Sequence, residues 1–282
     1  GCSNNEDELL STGSFPEDHV IRIITEVNEP LSRAGYDVTN LERFGLMIRN
    51  SENAAYNYHK QMVSSGNAWS TSDGQQMLWD AERTPVTMIA YAPYMSEAAP
   101  DASLAVNALT NQTTEENVKS SDFLLMKATV DPEQDLTADG KLKISLSHAM
   151  SKLLIKITVN GTTDAAMNKL GDMSINGAVV NGICDLSATV PIVVPAPDAV
   201  VATVAPYKGT ESCECILPPQ KIAEGFSVNF SYDGKLYIWT AKEAIELEKG
   251  VEHTLTLNVN TTVRLAAKMA RNWATGQLID RN

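Results

Sequence analysis

Residues 226–240 read FSVNFSYDGKLYIWT, and this stretch decides the fold class. Apolar side chains occupy every second position of its first half, the period that places one face of an extended strand in a core. The following pair, Asp233-Gly234, readily adopts the positive φ angles of a tight two-residue turn. We expect Leu236 and Ile238 to continue the buried face on the return strand. The stretch therefore predicts an antiparallel β-hairpin.

The same period-two pattern recurs along the chain, and it predicts strands rather than helices. In the second half it is clearest in the segments GKLKISLSH, SKLLIKITVN and HTLTLNVN. In the first half, less regular strands separated by polar loops are predicted in HVIRIITEV, RFGLMIRN, TPVTMIAYAPY and DFLLMKATV. Near the carboxy terminus, TTVRLAAKMARNWA has apolar residues at helical spacing and high helix propensity, so its middle is expected to be helical.

Many short strands and few helices indicate an all-β protein of the β-sandwich type. A chain of 282 residues is long for one small sandwich, so two sandwiches in tandem are expected. A polar loop at residues 131–140 favours a division just after it. The predicted organisation is a polar linker at 1–18, an N-terminal domain at 19–145 and a C-terminal domain at 146–282.

Composition restricts the class of partner. The formal net charge is −13, which argues against nucleic acid and anionic membrane surfaces, because both require a basic footprint. No run of about 18 apolar residues is present, so no transmembrane helix is predicted. No amino-terminal signal sequence is recognisable, and we expect either a cytoplasmic protein or one whose signal has been removed.

No constellation of residues predicts catalysis, and the protein is expected not to be an enzyme. The four histidines are scattered, with no pair at metal-ligand spacing, and no Gly-rich phosphate loop or nucleophile elbow occurs. His148 follows a strand beside a turn and is expected to be structural. No cofactor and no metal are predicted.

The cysteines leave two interpretations open. Cys213 and Cys215 are too close in sequence for the usual zinc spacing. A disulfide from Cys184 to either of them is possible in an oxidising compartment, and burial of all three as small apolar residues in strands is the alternative that we favour. Cys2 lies far from the others.

The tryptophans allow a second class of function. Trp69, Trp79, Trp239 and Trp273 are candidate stacking platforms for sugars or peptides, and packing in the core or at a sheet edge is the interpretation that we favour for each. Trp239 is expected on the polar side of its hairpin strand. A glycan binder would present two or more of these rings on one open face, whereas a structural subunit would bury most of them.

Several motifs together resemble the fimbrillin-like proteins of Bacteroides and its relatives. They are AYAPY after TPVTMI, the strand LSHAMSKLLIKI, the hairpin FSYDGKLYIWT followed by LEKGVEHTLTLNV, and the closing NWATG. The resemblance extends from Val20 to Gly276. It implies two transthyretin-like β-sandwich domains, export to the cell surface as an outer-membrane lipoprotein, and assembly with other subunits into a fimbria that contacts host or bacterial surface ligands.

The resemblance also implies how the subunit is anchored and assembled. Cys2, followed by an acidic polar linker, resembles the acylated cysteine of a mature lipoprotein. In the best-known members of the family, a trypsin-like protease cuts after an Arg in the loop behind the first strand, and a strand from the next subunit fills the groove that is left, whereas some members, notably anchor and tip subunits, depart from this pattern. Arg33 and Ala34 occupy the matching position. The strand to be displaced includes Val20, Ile21, Ile23, Ile24 and Val27.

Two other functions remain as alternatives. A surface glycan-binding lipoprotein would share the cysteine, the linker and the sandwiches. A secreted hydrolase on a sandwich scaffold would need a carboxylate pair in a cleft, for which the sequence offers no specific support.

Overall fold

The computed structural model describes residues 14–27, 41–66, 68–161 and 163–280. These residues form twenty-two β-strands, one short α-helix and two 3-10 turns. The helix, α1 (Glu115–Ser121), begins where the Thr114 side chain accepts a hydrogen bond from the Asn117 N–H at 3.1 Å, and it has two glutamates in its first turn. The 3-10 turns span Ala54–Tyr56 and Met167–Lys169.

The first half of the chain contributes eight strands. They are β1 (Ile23–Val27), β2 (Arg43–Arg49), β3 (Tyr58–Ser65), β4 (Ala68–Thr71), β5 (Val86–Ala92), β6 (Ser103–Asn107), β7 (Leu124–Val130) and β8 (Leu142–His148).

The second half of the chain contributes the other fourteen described strands. They are β9 (Ser151–Val159), β10 (Thr163–Asp164), β11 (Leu170–Val179), β12 (Asn181–Asp185), β13 (Val193–Pro195), β14 (Val201–Val204), β15 (Tyr207–Lys208), β16 (Cys213–Leu217), β17 (Gln220–Ile222), β18 (Ser227–Tyr232), β19 (Lys235–Thr240), β20 (Ile245–Leu247), β21 (Val251–Val259) and β22 (Val263–Asn272).

The strands assemble into three larger and two smaller sheets. A seven-stranded sheet has the order β1-β8-β7-β5-β2-β3-β4. A second sheet has the order β15-β16-β9-β21-β22, with β10 paired to β9, and a four-stranded sheet has the order β14-β11-β18-β19. The two smaller sheets are β13-β12-β6 and β17-β20. The all-β class predicted from the alternating pattern is confirmed. Among the described residues, no helix is long and apolar enough to cross a membrane.

The seven-stranded sheet is buried on both faces. On β2, Leu46 and Ile48 join a core made only of first-half residues, whereas Met47 between them points into a larger core. Tyr91 on β5 also enters the larger core, a cluster that includes second-half residues such as Leu153. Because successive strand residues point to opposite faces, a strand buried on both sides is apolar throughout instead of alternating. This explains why the first-half strands have a less regular pattern.

The two halves of the chain also share a sheet. Strand β6 of the first half pairs with β12 of the second, from Ser103 opposite Asp185 to Asn107 opposite Asn181. Strand β8 continues to His148, past the predicted division at residue 145. The division into domains 19–145 and 146–282 stays a prediction, and the larger core extends across it.

The hairpin at 226–240 forms as predicted, but its return strand faces the other way. Phe230 pairs with Tyr237 and Val228 with Trp239, and directly opposite residues share a face of the sheet. Leu236 and Ile238 are therefore 86% and 65% exposed, while Trp239 is 8% exposed. The expectation for these three residues was wrong. The two-residue turn fixes the register, and it outweighs the apolar character of Leu236 and Ile238.

The helix expected near the carboxy terminus is also absent. Residues 263–272 form strand β22, which pairs antiparallel with β21 from Val251 opposite Asn272 to Val259 opposite Val263. The intrinsic propensity of the Ala-rich stretch is a weak preference, and the open edge of β21 overrides it by offering a full ladder of hydrogen bonds. A bulge beside Ala266 accommodates the irregular pattern of its apolar residues.

The hairpin register predicts unequal effects of two matched substitutions. Val228→Thr places a hydroxyl in a fully buried position and is expected to lower the free energy of unfolding by about 1–3 kcal/mol. Ile238→Thr changes an exposed position and is expected to stay within about 0.5 kcal/mol of the parent. Urea unfolding of both variants measures the difference, and equal losses would contradict the register.

Candidate functional site: the inserted first strand

The first-strand segment, residues 19–27, is hydrogen-bonded along β8 on one side. Within it, β1 runs parallel to β8, with Ile23 opposite Leu142 and Val27 opposite Leu146. The Leu142 N–H donates to the Arg22 carbonyl oxygen at 2.7 Å, which extends the ladder to the start of β1. This pairing satisfies backbone groups on the outer edge of β8.

A second set of backbone bonds holds the start of the same segment from the other side. The Ile21 N–H donates to the Met77 carbonyl oxygen at 2.9 Å, and the Trp79 N–H donates to the His19 carbonyl oxygen at 2.8 Å. Between these bonds, Val20 forms an antiparallel bridge with Leu78. The segment is thus paired with residues 77–79 along its first three residues and with β8 along the rest.

Two isoleucines anchor the segment in the first-half core. Ile21 and Ile23 are 6% and 5% exposed and belong to the same cluster as Leu142 and Ile144 of β8. Fully burying an aliphatic side chain of this size contributes about 1.5–3 kcal/mol. Ile24, on the opposite face of the strand, is only half-buried.

Strand β4, at the far edge of the seven-stranded sheet, also contacts the segment. The Trp69 indole N–H donates to the Thr25 hydroxyl oxygen at 3.0 Å. The same indole packs edge-on against Phe44, with 4.8 Å between ring centroids. Because β1 and β4 are the two ends of the strand order, the sheet curls until its edges meet, and the first strand lies at the seam.

The charged groups of the segment lie at the surface and hold it only weakly. The Lys143 ammonium lies 3.0 Å from the Glu26 carboxylate, with both side chains about half exposed. Arg22 pairs with Asp18, and hydrogen bonds from the Arg22 guanidinium and the Val20 N–H lower the pKa of Asp18 to about 2. Exposed ion pairs of this kind contribute little to stability. The segment is therefore held by backbone pairing and two apolar side chains.

Removing the segment would leave a groove whose wall is β8. Leu142, Ile144 and Leu146 are each at most 2% exposed, and they lie beside the row of backbone groups that now pair with β1. An open edge with unpaired N–H and C=O groups next to an apolar face is a template for another strand. The groove could accept an extended segment with apolar residues at alternate positions.

The predicted site residues fall into two groups. Cys2, Arg33 and Ala34 lie outside the described residues. All five residues predicted for the displaced strand lie in the first-strand segment: Val20, Ile21, Ile23, Ile24 and Val27. Sequence reasoning missed the partner segment Met77–Trp79, because it has neither alternation nor β-branched residues. The only signal was a Met and a Trp placed between polar loops.

The last strand is attached differently from the first. Strand β22 forms the edge of its sheet, and Ala270 is its only fully buried residue. After β22 the chain turns back, so that Leu278 bridges to Arg271. The strand is thus held by its ladder to β21 and, just beyond its last residue, by the buried Trp273 ring.

The tryptophans do not form an exposed platform. Trp79, Trp239 and Trp273 are 2%, 8% and 0% exposed, and Trp69 is half-buried against Phe44 and Thr25. The rings therefore do not meet the condition set for a glycan binder, which requires two or more of them on one open face.

His148 and the three described cysteines are buried. The His148 ring stacks on Trp273 with centroids 3.7 Å apart, and its Nδ1 lies 3.0 Å from the Asp122 carboxylate. Cys184, Cys213 and Cys215 are buried free thiols, and burial raises the pKa of each. Within the described ranges, no group of three or more His, Cys, Asp or Glu side chains could hold a metal ion.

Comparison with protein families shows where the chain belongs. A family model described as fimbrillin-like matches residues 32–272, which is most of the chain. The chain belongs to the fimbrillin-like family. Among curated proteins, none matches it.

Solved structures share the fold of this fimbrillin-like chain. A candidate cell adhesion protein of Bacteroides uniformis is 16% identical, with a TM-score of 0.67 over 92% of this chain and 99% of that one. A candidate cell adhesion protein of Bacteroides ovatus is also 16% identical, with a TM-score of 0.69 over 93% of this chain and 99% of that one. A fimbrial protein of Bacteroides ovatus is 14% identical, with a TM-score of 0.52 over 86% of this chain and 49% of that one.

Burial of the first strand predicts different effects on its two faces. Ile23→Ala removes a buried side chain and is expected to cost about 2–5 kcal/mol of unfolding free energy. Ile24→Ala, the matched control on the opposite face, is expected to cost clearly less because Ile24 is half-buried. Denaturant unfolding measures both, and a larger loss at Ile24 would contradict the orientation of β1.

Proposed function

We propose that this protein is a structural, adhesive subunit of a cell-surface fimbria that assembles by exchange of its first strand. Membership of the fimbrillin-like family supports the fimbrial role. The observation that carries the assembly mechanism is the inserted first-strand segment, which is bonded to β8 on one side and to residues 77–79 on the other. Its partners are other fimbrial subunits, and surface ligands of host or bacterial cells.

The exchange follows from what the segment leaves behind. Loss of residues 19–27 would expose the apolar face of β8 and its unpaired backbone groups, at a cost in free energy that a replacement strand removes. A donated strand from the next subunit would restore the ladder and refill the positions of Ile21 and Ile23. This is β-augmentation between identical or related subunits.

Cleavage between Arg33 and Ala34 would release the segment. These residues follow β1 in the chain, and β2 begins only at Arg43, so a cut between them would separate β1 from the rest of the fold without interrupting another described strand. After the cut, the segment would be held only by its backbone pairing, by two buried isoleucines and by surface contacts, so it could leave without unfolding the remainder.

Strand β22 is the proposed donor. It is ten residues long, lies at a sheet edge and buries only Ala270 fully within its own span, and the buried Trp273 that follows it would leave its place together with the strand. Because residues 263–272 form a strand and not the expected helix, this segment already has the extended conformation that a donor strand needs.

Acylation of Cys2 is the proposed anchor before processing. Acyl chains at one cysteine bind a membrane strongly, because each buried methylene contributes about 0.8 kcal/mol. Cleavage after Arg33 would separate the subunit from this anchor as well as from the first strand. The outer membrane would then hold the precursor, and the fimbria would hold the mature subunit.

The intact mass of the protein from its native outer membrane tests this proposal. Before treatment, the expected species carries acyl chains on Cys2. After treatment with an Arg-specific protease, the expected species begins at Ala34. It is expected to assemble into a series of oligomers (called ladders below) that resist mild denaturation, because the groove is open to strand donation.

The matched control is Arg33→Lys, which keeps the positive charge but removes the cleavage site. It should retain the first strand and stay monomeric after the same treatment. A parent protein that is cut after Arg33 without forming ladders would contradict strand exchange. Ladders from uncut Arg33→Lys would contradict the requirement for processing.

A further inference from the structure

Three neighbouring strands bring one lysine and two glutamates to the same face of the second sheet. In the β16-β9-β21 part of that sheet, Lys152 of β9 lies opposite Glu252 of β21 in a parallel ladder. On the other side, Lys152 lies opposite Ile216 of β16, and Glu214 is two residues away on the same face of β16. None of the functions considered above uses this group.

The group is buried. The side chains of Lys152 and Glu214 are 0% and 3% exposed, and Glu252 is 7% exposed. The Lys152 Nζ lies 3.8 Å from a carboxylate oxygen of Glu214. Within the described part of the chain, neither carboxylate oxygen of Glu214 has a hydrogen-bond partner.

This arrangement is poor as an ion pair. A charge-assisted hydrogen bond between an ammonium and a carboxylate is usually about 2.7–2.9 Å long, so 3.8 Å is too great a distance for one. A buried carboxylate without hydrogen bonds bears a large desolvation cost, which attraction at this distance repays only in part. Buried polar groups that lack partners need a specific explanation.

We propose that the Lys152 and Glu214 side chains are joined by an amide bond between Nζ and Cδ. The bond turns two buried charges into one neutral amide, and it removes the unsatisfied carboxylate. Both reacting groups are at the ends of long side chains on adjacent, hydrogen-bonded strands.

Condensation of the Lys152 ammonium with the Glu214 carboxylate gives the amide and one molecule of water, and it needs no added reagent. The Lys152 ammonium passes a proton to the Glu214 carboxylate, and the neutral amine attacks Cδ. The new C–N bond forms as the C–OH bond breaks, and the hydroxyl departs as water with a second proton from nitrogen. Glu252, opposite Lys152 in register, is positioned to carry these protons between nitrogen and the leaving oxygen.

The surroundings favour the amide over its hydrolysis. The Trp273 ring is 0% exposed, and its centroid lies 4.6 Å from the Lys152 Nζ. Cys215 and Leu153, which flank the two reacting residues along their strands, are also fully buried. Water released here leaves an apolar environment that it does not readily re-enter. The cross-link would fasten β16 to the centre of its sheet, and this inference does not depend on the proposed fimbrial function.

Mass spectrometry of the full chain under denaturing conditions tests the bond. The expected mass is lower than the sequence mass by one molecule of water. After proteolysis, the peptides that contain Lys152 and Glu214 are expected as one branched species. A chain at its full sequence mass, with both peptides recovered separately, would overturn the proposal, and this outcome needs no variant to fold.

Variants locate the bond. Lys152→Arg keeps the charge but should restore the full mass, whereas Lys156→Arg, on the same strand, should keep the loss of water. Glu252→Gln should lower the linked fraction at matched time after synthesis. A loss of water that persists in Lys152→Arg would overturn the assignment, and a fully linked Glu252→Gln would overturn the role of Glu252.

Discussion

Strand β8 must be paired along its outer edge, and the architecture of the first half depends on this constraint. Its backbone groups lie beside Leu142, Ile144 and Leu146, so an open edge would expose unpaired donors and acceptors next to an apolar wall. The first-strand segment satisfies that edge, and Thr25 joins it to the opposite edge through Trp69. The curled seven-stranded sheet is complete only while some strand occupies this position, whichever chain supplies it.

The two terminal strands are attached in ways that suit opposite roles. The first strand occupies a groove and contributes Ile21 and Ile23 to a core, so its removal leaves a site that selects another strand. Strand β22 lies on an edge, and its departure would break one ladder of hydrogen bonds and withdraw Trp273, the core residue that follows it. Family membership supports the fimbrial role, and the exchange of strands is our proposal from this geometry.

Much of the fold follows from local patterns in the sequence. Alternation located β8, β9, β18 and β21 correctly, because their apolar residues recur with a period of two; β8 and β18 also alternate in burial, whereas β9 and β21 are buried on both faces over part of their length. The errors arose where a non-local contact decides the outcome. The edge of β21 turned a helix-prone segment into β22, and the register of a two-residue turn put Ile238 outside and Trp239 inside. The Met77–Trp79 partner of the first strand could not be found, since nothing in its sequence indicates pairing with residues so far away. The lipidation and cleavage residues rest on family resemblance alone.

A reversible disulfide bond that joins β22, the proposed donor strand, to β21 tests strand exchange most directly. This bond is called the staple below. Thr254 and Met269 are paired opposite each other on β21 and β22, so Thr254→Cys with Met269→Cys places two thiols in register, in a Cys2→Ser background. The native thiols are buried and their pKa values are raised, so they compete poorly for the new bond. After cleavage at Arg33, the oxidised protein is predicted to stay monomeric, and addition of a reductant is predicted to release ladder formation. Ladders that form equally well with the staple closed would show that β22 is not the donated strand, and they would contradict the account.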